Sequence, residues 1–467
     1  MKPILRASAA QRDITPEVGT TLAGAVGARR GAQTFLDPLL AKAIVLECGG
    51  RKLCIVSMDA ILIDRRHTDL IRAAAAEMGF EPEAVMVHPT QNHNAPAISH
   101  LILDDDFPLP DELQWIACRG ENYDAFATGQ IIEAIRAAND ALQPVEIGVG
   151  SGIEGRLAFN RRAVMRNGKV MMPGNTWPQP LGWTQIRYLE GPIDPEVGVI
   201  ALRGENAHLV AAFLSYTCHP VHMFLEPNGI VSADWPGAWC DALREMTSEE
   251  FGANGTFAVL NGACGNINPW NPYDPEYRED HIGMGKTLAQ TSRIVLDTLQ
   301  WQSEAVLAWR VRNIQIPLRE VPADALKNAE QLLAKNPRPT FSDETETQVT
   351  WDWIQAALLK SVDLERSRSP VLDYEIQVLR IGNTALVGLP GEPFVEGQLE
   401  IKLNSPAAHT YIVHAISHYA GYIPTREAFP RGGHEVNLST WAKLVPEALE
   451  MIVANAGELL NEVFSDH

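Results

Sequence analysis

Histidines, asparagines and acids cluster beside prolines in two segments far apart in the chain. These are TQNHNAP at residues 90–96, and CHPVH at 218–222 with NGIVSADWPG at 228–237 just beyond it. Together they bring His88, His93, His219, His222 and Asp234 to the ends of apolar runs, where metal ligands and general acids and bases sit. Imidazoles beside amides and a carboxylate can move protons or hold a cation that activates water, so the sequence reads as an enzyme. Asp234 is expected to support a site histidine from behind.

The elements that must position these groups follow from periodicity. AKAIVLECGG and RKLCIVSMDAILI read as two strands joined at Gly49-Gly50, followed by an amphipathic helix, DRRHTDLIRAAAAEMG, and a further strand, AVMVHP, that runs into the first polar segment. Residues 123–142 are helical by period, and EIGVGSGIEG restarts a strand. HLVAAFLSYTCHPVHM and GTFAVLNGACGNINPW repeat the pattern of an apolar strand delivering polar residues at its end, and the segment between them, PGAWCDALREMTSEEFG, is a helix with Pro236 in its first turn. EIQVLRIGNTALVGLPGEPF gives two more strands and an exit at Glu392, and a helix is expected from about residue 440. The fold class is therefore α/β, a mixed β-sheet core flanked by helices, in one domain spanning 1–467. Residues 320–370, rich in Lys, Glu, Gln and Ala, form a helical excursion within it.

Composition narrows the partners. A net charge of −20 argues against a nucleic-acid partner and against anionic membrane surfaces, so a small-molecule substrate is expected. No apolar run is long enough to cross a bilayer, and the N-terminus lacks an apolar signal region, which points to a cytoplasmic protein. The six cysteines show no CxxC pairing and are expected to be buried free thiols. Oligomeric state is not legible.

Seven segments occur in an order that resembles the catalytic domain of the neutral ceramidases and the shorter ceramidase-like bacterial hydrolases. They are DITP at 13–16, TQNHNAP, FNRR at 159–162, CHPVH with SADWPG, NGACGNINP at 261–269, LPGEPF at 389–394 and YAGYIPTREAF at 419–429. The resemblance implies a zinc ion held by His219, Glu392 and Tyr422, with Gln91 at the position of the family's first histidine ligand. A neutral amide oxygen is a poorer zinc ligand than imidazole. Either His93 or His222 supplies the missing nitrogen, or the site works without a tightly held metal. The family's active-site serine falls on Gly262, while Arg161 matches an active-site arginine suited to an oxygen that gains charge.

The function implied is a metal-dependent hydrolase of an amide, ester or glycosidic bond in a small soluble polar substrate, with His93, Arg161 and Asp234 as catalytic residues. Trp235, Asn266, Arg431 and His434 are the expected substrate contacts, and Trp177, Trp183, Trp239 and Trp270 lie near the same loops. Tryptophan faces among amides suit a sugar or another ring-shaped polar molecule. Two alternatives remain: a metal-independent lyase or isomerase of carbohydrate derivatives, and a non-catalytic binding protein.

Overall fold

The computed structural model describes residues 3–99, 102–118, 121–172, 185–225, 229–274, 277 and 279–465. Three mixed sheets carry the chain, and all three use one device. In each, antiparallel strands end in a single parallel pair whose crossover contains a helix.

The first sheet runs in the order Val85–Pro89, Arg51–Met58, Leu40–Cys48, Arg6–Asp13, Gln143–Pro144, and the parallel pair Arg51–Met58/Val85–Pro89 is joined through helix Arg65–Glu77. That helix starts where expected because the Asp64 carboxylate accepts the His67 backbone N–H. The second sheet is ordered Thr256–Asn261, Leu209–Tyr216, Glu196–Arg203, Glu146–Ile153, with helix Asp234–Phe251 between its parallel strands. Leu307–Pro317, Val371–Ile381, Thr384–Leu389 and His409–His414 make the third, whose parallel pair is Thr384–Leu389/His409–His414 and whose crossover helix is Val395–Leu403.

The strands of the parallel pairs are almost wholly buried, as in Arg51–Met58, Leu209–Tyr216, Thr256–Asn261 and Thr384–Leu389, and so they read as unbroken apolar runs rather than alternating ones. The inner faces of the three sheets share one core: Ile44 and Leu46 meet Ile200 and Phe213, with Leu379 and Leu386 of the third sheet. Helices cover the outer faces, including Glu121–Asp140 over the first sheet, His281–Thr298 over the second and Ala448–Ser465 over the third. Helices Ala323–Lys335 and Trp351–Arg368 occupy most of 320–370, and Trp353, Ile354 and Leu358 pack with Ile61, Leu62, Tyr422 and Trp441.

One expectation shifts. The last helix begins at Ala448 rather than near 440, because Leu444 bridges back to Leu318 and holds 440–447 in turns. His88 has a core role: its Nδ1–H donates to the His414 carbonyl at 2.8 Å and its Nε2 accepts the Asn261 backbone N–H at 3.1 Å. It thus ties together one strand end from each sheet, and burial lowers it to about 4, which keeps the ring neutral for both bonds. All six cysteines are unpaired and buried. No helix among the described residues is long and apolar enough to cross a membrane.

Candidate functional site

Six groups of the site leave the C-terminal ends of parallel strands, the position where open α/β sheets place ligands. Gln91 and His93 follow Val85–Pro89, His219 follows Leu209–Tyr216, Glu392 follows Thr384–Leu389, and Tyr419 and Tyr422 follow His409–His414. Short pairings lock these exits together: Glu392–Pro393 pairs with Tyr422–Ile423, and Phe159–Asn160 with Ile267–Asn268. Gln91 sits at φ +65°, a left-handed conformation that a non-glycine residue adopts only where its surroundings impose it.

At the centre, His219 Nδ1 lies 3.0 Å from the Ile267 carbonyl and Nε2 lies 3.0 Å from Glu392 Oε2. A carbonyl can only accept, so Nδ1 carries a proton, while Nε2 faces the Glu392 carboxylate. A contact that close requires a proton on Nε2 or another positive charge beside the pair. Tyr419 donates to Glu392 Oε1 at 2.7 Å, and Arg161 Nη1 stands 3.4 Å from His219 Nε2. Burial pushes the Glu392 carboxyl up, but His219, Arg161 and the Tyr419 hydrogen bond outweigh it and hold it well below the usual carboxylate range.

Arg161 is itself fixed from behind. Its Nε donates to Glu435 Oε1 at 2.7 Å and its Nη1 to Asn268 Oδ1 at 3.2 Å, and the guanidinium lies 5.2 Å from the Tyr422 ring centre. Glu435 bridges to Arg162 Nη1, also at 2.7 Å, and Arg162 pairs in turn with Glu190. Burial opposes the Glu435 charge, yet the two guanidiniums lower its carboxyl to about 2. Arg161 Nη2 is buried without a partner.

In front of this centre is a cavity of about 60 Å³ walled by Gln91, His93, Glu392, Tyr419, Tyr422, His434 and Trp441, with Gly24, Ile61 and Leu62 among the remaining lining. Neither ring nitrogen of His93 has a partner, although both are shielded from solvent. Burial, with help from His219, lowers His93 to about 3 and keeps it neutral. His434 lies 5.4 Å from Tyr422 edge-on and stacks 5.3 Å from Trp441.

The chain matches no protein-family model and no curated protein sequence. Solved structures do match: neutral ceramidase from Pseudomonas aeruginosa superposes with a TM-score of 0.72 at 17% identity, over 98% of this chain and 74% of that one. A ceramidase complexed with C2 gives 0.69 at 18% identity, over 99% and 76% of the two chains. The fold is that of the neutral ceramidases. On this ceramidase fold the residues implied by the sequence resemblance fall together: His219 touches Glu392, and Glu392, Tyr422 and Gln91 line one cavity. Among the described residues, however, no group of three His, Cys, Asp or Glu side chains is arranged to hold a metal. The Gln91 amide oxygen accepts a long contact, 3.4 Å, from the Cys264 thiol beneath it.

Several expected contacts lie elsewhere. His222 is off the cavity wall, its Nδ1 held by Asp234 Oδ1 at 3.1 Å and its Nε2 unpartnered. Asp234, at φ +50°, does support a histidine from behind, but that histidine is His222, and it also accepts the backbone N–H groups of Met223 and Trp235, so it braces a loop off the cavity wall. Trp235 is a core residue, 0% exposed, set against Tyr216 and Trp239, and it reaches the site only through an indole N–H donated to the His219 carbonyl. Trp239 is likewise core, bonded to Ser292. Asn266 is a latch whose amide binds Glu396 and the Val395 N–H, and its carbonyl accepts from Arg161 N. Arg431 pairs with Glu190 on the far side of Arg162. Trp177 and Trp183 lie outside the described residues. At Gly262 a Cβ would come 2.1 Å from Thr217 Oγ1, so the ceramidase serine has no room here.

Tyr419, Glu435 and Trp441 escaped the sequence reading. Glu435 had a usable signal, because consecutive arginines in FNRR can be buried only beside acids. Nothing marks Tyr419 except its spacing of three from Tyr422.

Proposed function

We propose that this chain is a hydrolase that adds water across an amide or ester bond of a small polar substrate, with the reacting carbonyl held between His93, Arg161 and the His219–Glu392 pair. The observation that carries the reading is the 3.0 Å contact between the buried His219 Nε2 and a carboxylate held ionised. An acyl bond is favoured over a glycosidic one because glycoside cleavage usually uses two carboxylates flanking the bond, and Glu392 is the one acid among the described residues lining the cavity.

The mixed donors, one imidazole nitrogen and several oxygens, are of the type a divalent cation such as zinc takes. His219 Nε2 and Glu392 would be its main ligands, with the Tyr422 hydroxyl and the Gln91 amide oxygen on the same cavity as further oxygen donors, and the ion would acidify a water and polarise the carbonyl. His93 has a free lone pair on a neutral ring, so it can take the proton of the attacking water. Once protonated it is a strong acid and passes that proton to the leaving nitrogen or oxygen. Arg161 would stabilise the negative charge that develops on the carbonyl oxygen, Nη2 being the guanidinium nitrogen left without a hydrogen-bond partner. Tyr419 fixes the Glu392 orientation.

A second reading, metal-free acid–base chemistry on a carbohydrate derivative, is favoured by Arg161 Nη1 at 3.4 Å from His219 Nε2, since the guanidinium already supplies positive charge there. Assaying the purified chain on soluble amides, esters and sugar acids separates the two. The hydrolase reading expects acyl cleavage that is lost in Glu392→Gln and His93→Ala while both stay folded. Isomerisation or elimination of a sugar derivative without acyl cleavage would replace it with the second reading.

A further inference from the structure

Beyond the inner cavity lies a second, larger chamber of about 310 Å³, and the two share His434 and Trp441 as a common wall. Its volume is at the lower end of the range for small-molecule sites, whereas the inner cavity has room for little more than the reacting atoms. One side comes from helix Trp351–Arg368, through Trp351, Leu358 and Leu359, and the opposite side from the loop carrying Leu438.

Two features say what would fit there. Among the described residues, no Asp, Glu, Lys or Arg lines the chamber, although charged residues make up 21% of the chain and its net charge is −20. A charged group entering would lose hydration with no counter-charge to replace it. Trp441, only 6% exposed, also carries an indole N–H that is buried without a partner, so the shared wall holds a donor awaiting an acceptor oxygen. At the rim, Trp351 is 54% exposed, a large apolar face left open to the mouth of the chamber.

We propose that the outer chamber is the recognition subsite for an uncharged, mainly apolar ring group of the substrate that bears an acceptor oxygen for Trp441. The inference rests on the acyl-hydrolase reading and deepens it: the scissile carbonyl sits in the inner cavity, and the ring attached to it passes the His434–Trp441 pair into the chamber. The 320–370 excursion then sets specificity, since it supplies one wall.

Two measurements keep the subsite and the chemistry separable. The first is calorimetric binding of acetophenone, a neutral ring with one carbonyl oxygen, beside its anionic analogue 4-acetylbenzoate. Saturable binding of acetophenone, none of the analogue, and at least a tenfold loss of acetophenone affinity in Leu438→Asp and Trp351→Ala are expected. The second is kcat/KM on p-nitroanilides carrying acetyl, 4-acetylbenzoyl, 4-carboxybenzoyl and palmitoyl groups. 4-Acetylbenzoyl should exceed acetyl by about tenfold or more, as pocket filling by a few carbons gives, and that ratio should collapse in Leu438→Asp. If acetophenone binds as described but no amide is cleaved, the hydrolase reading fails and the subsite stands. If neither variant changes acetophenone binding, or if palmitoyl or a charged ring is the best acyl group, the subsite assignment is overturned.

Discussion

Replacing Glu435 by glutamine tests whether the twin-arginine brace holds the site together. The carboxylate is 1% exposed and makes 2.7 Å bonds to Arg161 Nε and to Arg162 Nη1. A charge pair about 4 Å apart carries about 4 kcal/mol of gross Coulomb energy at an effective dielectric of about 20, most of which desolvation consumes. Removing one partner leaves that desolvation uncompensated, at about 3–5 kcal/mol. Glutamine keeps one acceptor oxygen but turns an N–H₂ toward the other guanidinium. Arg162 retains Glu190 and the carbonyls of Ala428 and Gly432, whereas Arg161 retains Asn268 and loses its salt bridge to Glu435. The loss therefore falls on Arg161. Urea unfolding should show the midpoint falling at unchanged slope by an amount corresponding to about 3 kcal/mol, with kcat/KM down at least tenfold. A double-mutant cycle with Arg161→Gln should give a coupling of about 1 kcal/mol or more. A stability loss below about 1 kcal/mol with unchanged kcat/KM would refute the brace.

Three further outcomes follow from other parts of the molecule. Gly24→Ala places a Cβ 2.6 Å from His93 Nδ1 at φ +93°, so it should cost about 1–3 kcal/mol and displace His93, lowering kcat more than it raises KM. Gly262→Ser should destabilise by about 1–3 kcal/mol without raising activity, because its Cβ meets buried Thr217 and Gln398 at 2.1 and 2.6 Å; a gain in activity would show that the loop can make room for a hydroxyl. Burial raises the Glu375 carboxyl, but Arg72, with Ser417 and Arg65, lowers it to about 2 from 4.5. A depressed carboxylate stabilises the fold fully above its unfolded pKa, so about 3 kcal/mol should be lost as pH falls from about 4.5 toward 2. Glu375→Gln should flatten that acid limb in equilibrium unfolding.

Strand ends were legible and side-chain direction was not. Strands such as KLCIVSM and TALVGL are buried on both faces, so their apolar runs and the polar residues that follow them mark sheet and site in a single pattern. That is why the sequence and the resemblance could pick out Gln91, His93, His219, Glu392 and Tyr422 as residues that the fold brings together. Asp234 and Trp235 were assigned to the site because they follow CHPVH, but at φ +50° the Asp234 backbone turns its carboxylate to His222 and sends the Trp235 ring into the core. Such a turn leaves no mark on hydrophobic period. Glu435 and Trp441 come from a loop without periodicity, and it is tertiary contact that gives each its place. The expected run of helix from about 440 failed for a related reason: Leu444 bridges Leu318 across a long separation in sequence, which local propensity does not register.

The central proposal is that the His219–Glu392 pair is the seat of a hydrolytic centre able to hold a cation, and metal content measured alongside acyl hydrolysis tests it most directly. Purified protein should carry about one divalent ion per chain. A chelator should remove the ion and the activity together, zinc should restore both, and Glu392→Gln should bind no ion while staying folded. Protein free of metal that cleaves its acyl substrate at full rate in the presence of chelator would contradict the account and leave the chemistry to His93 and Arg161 alone.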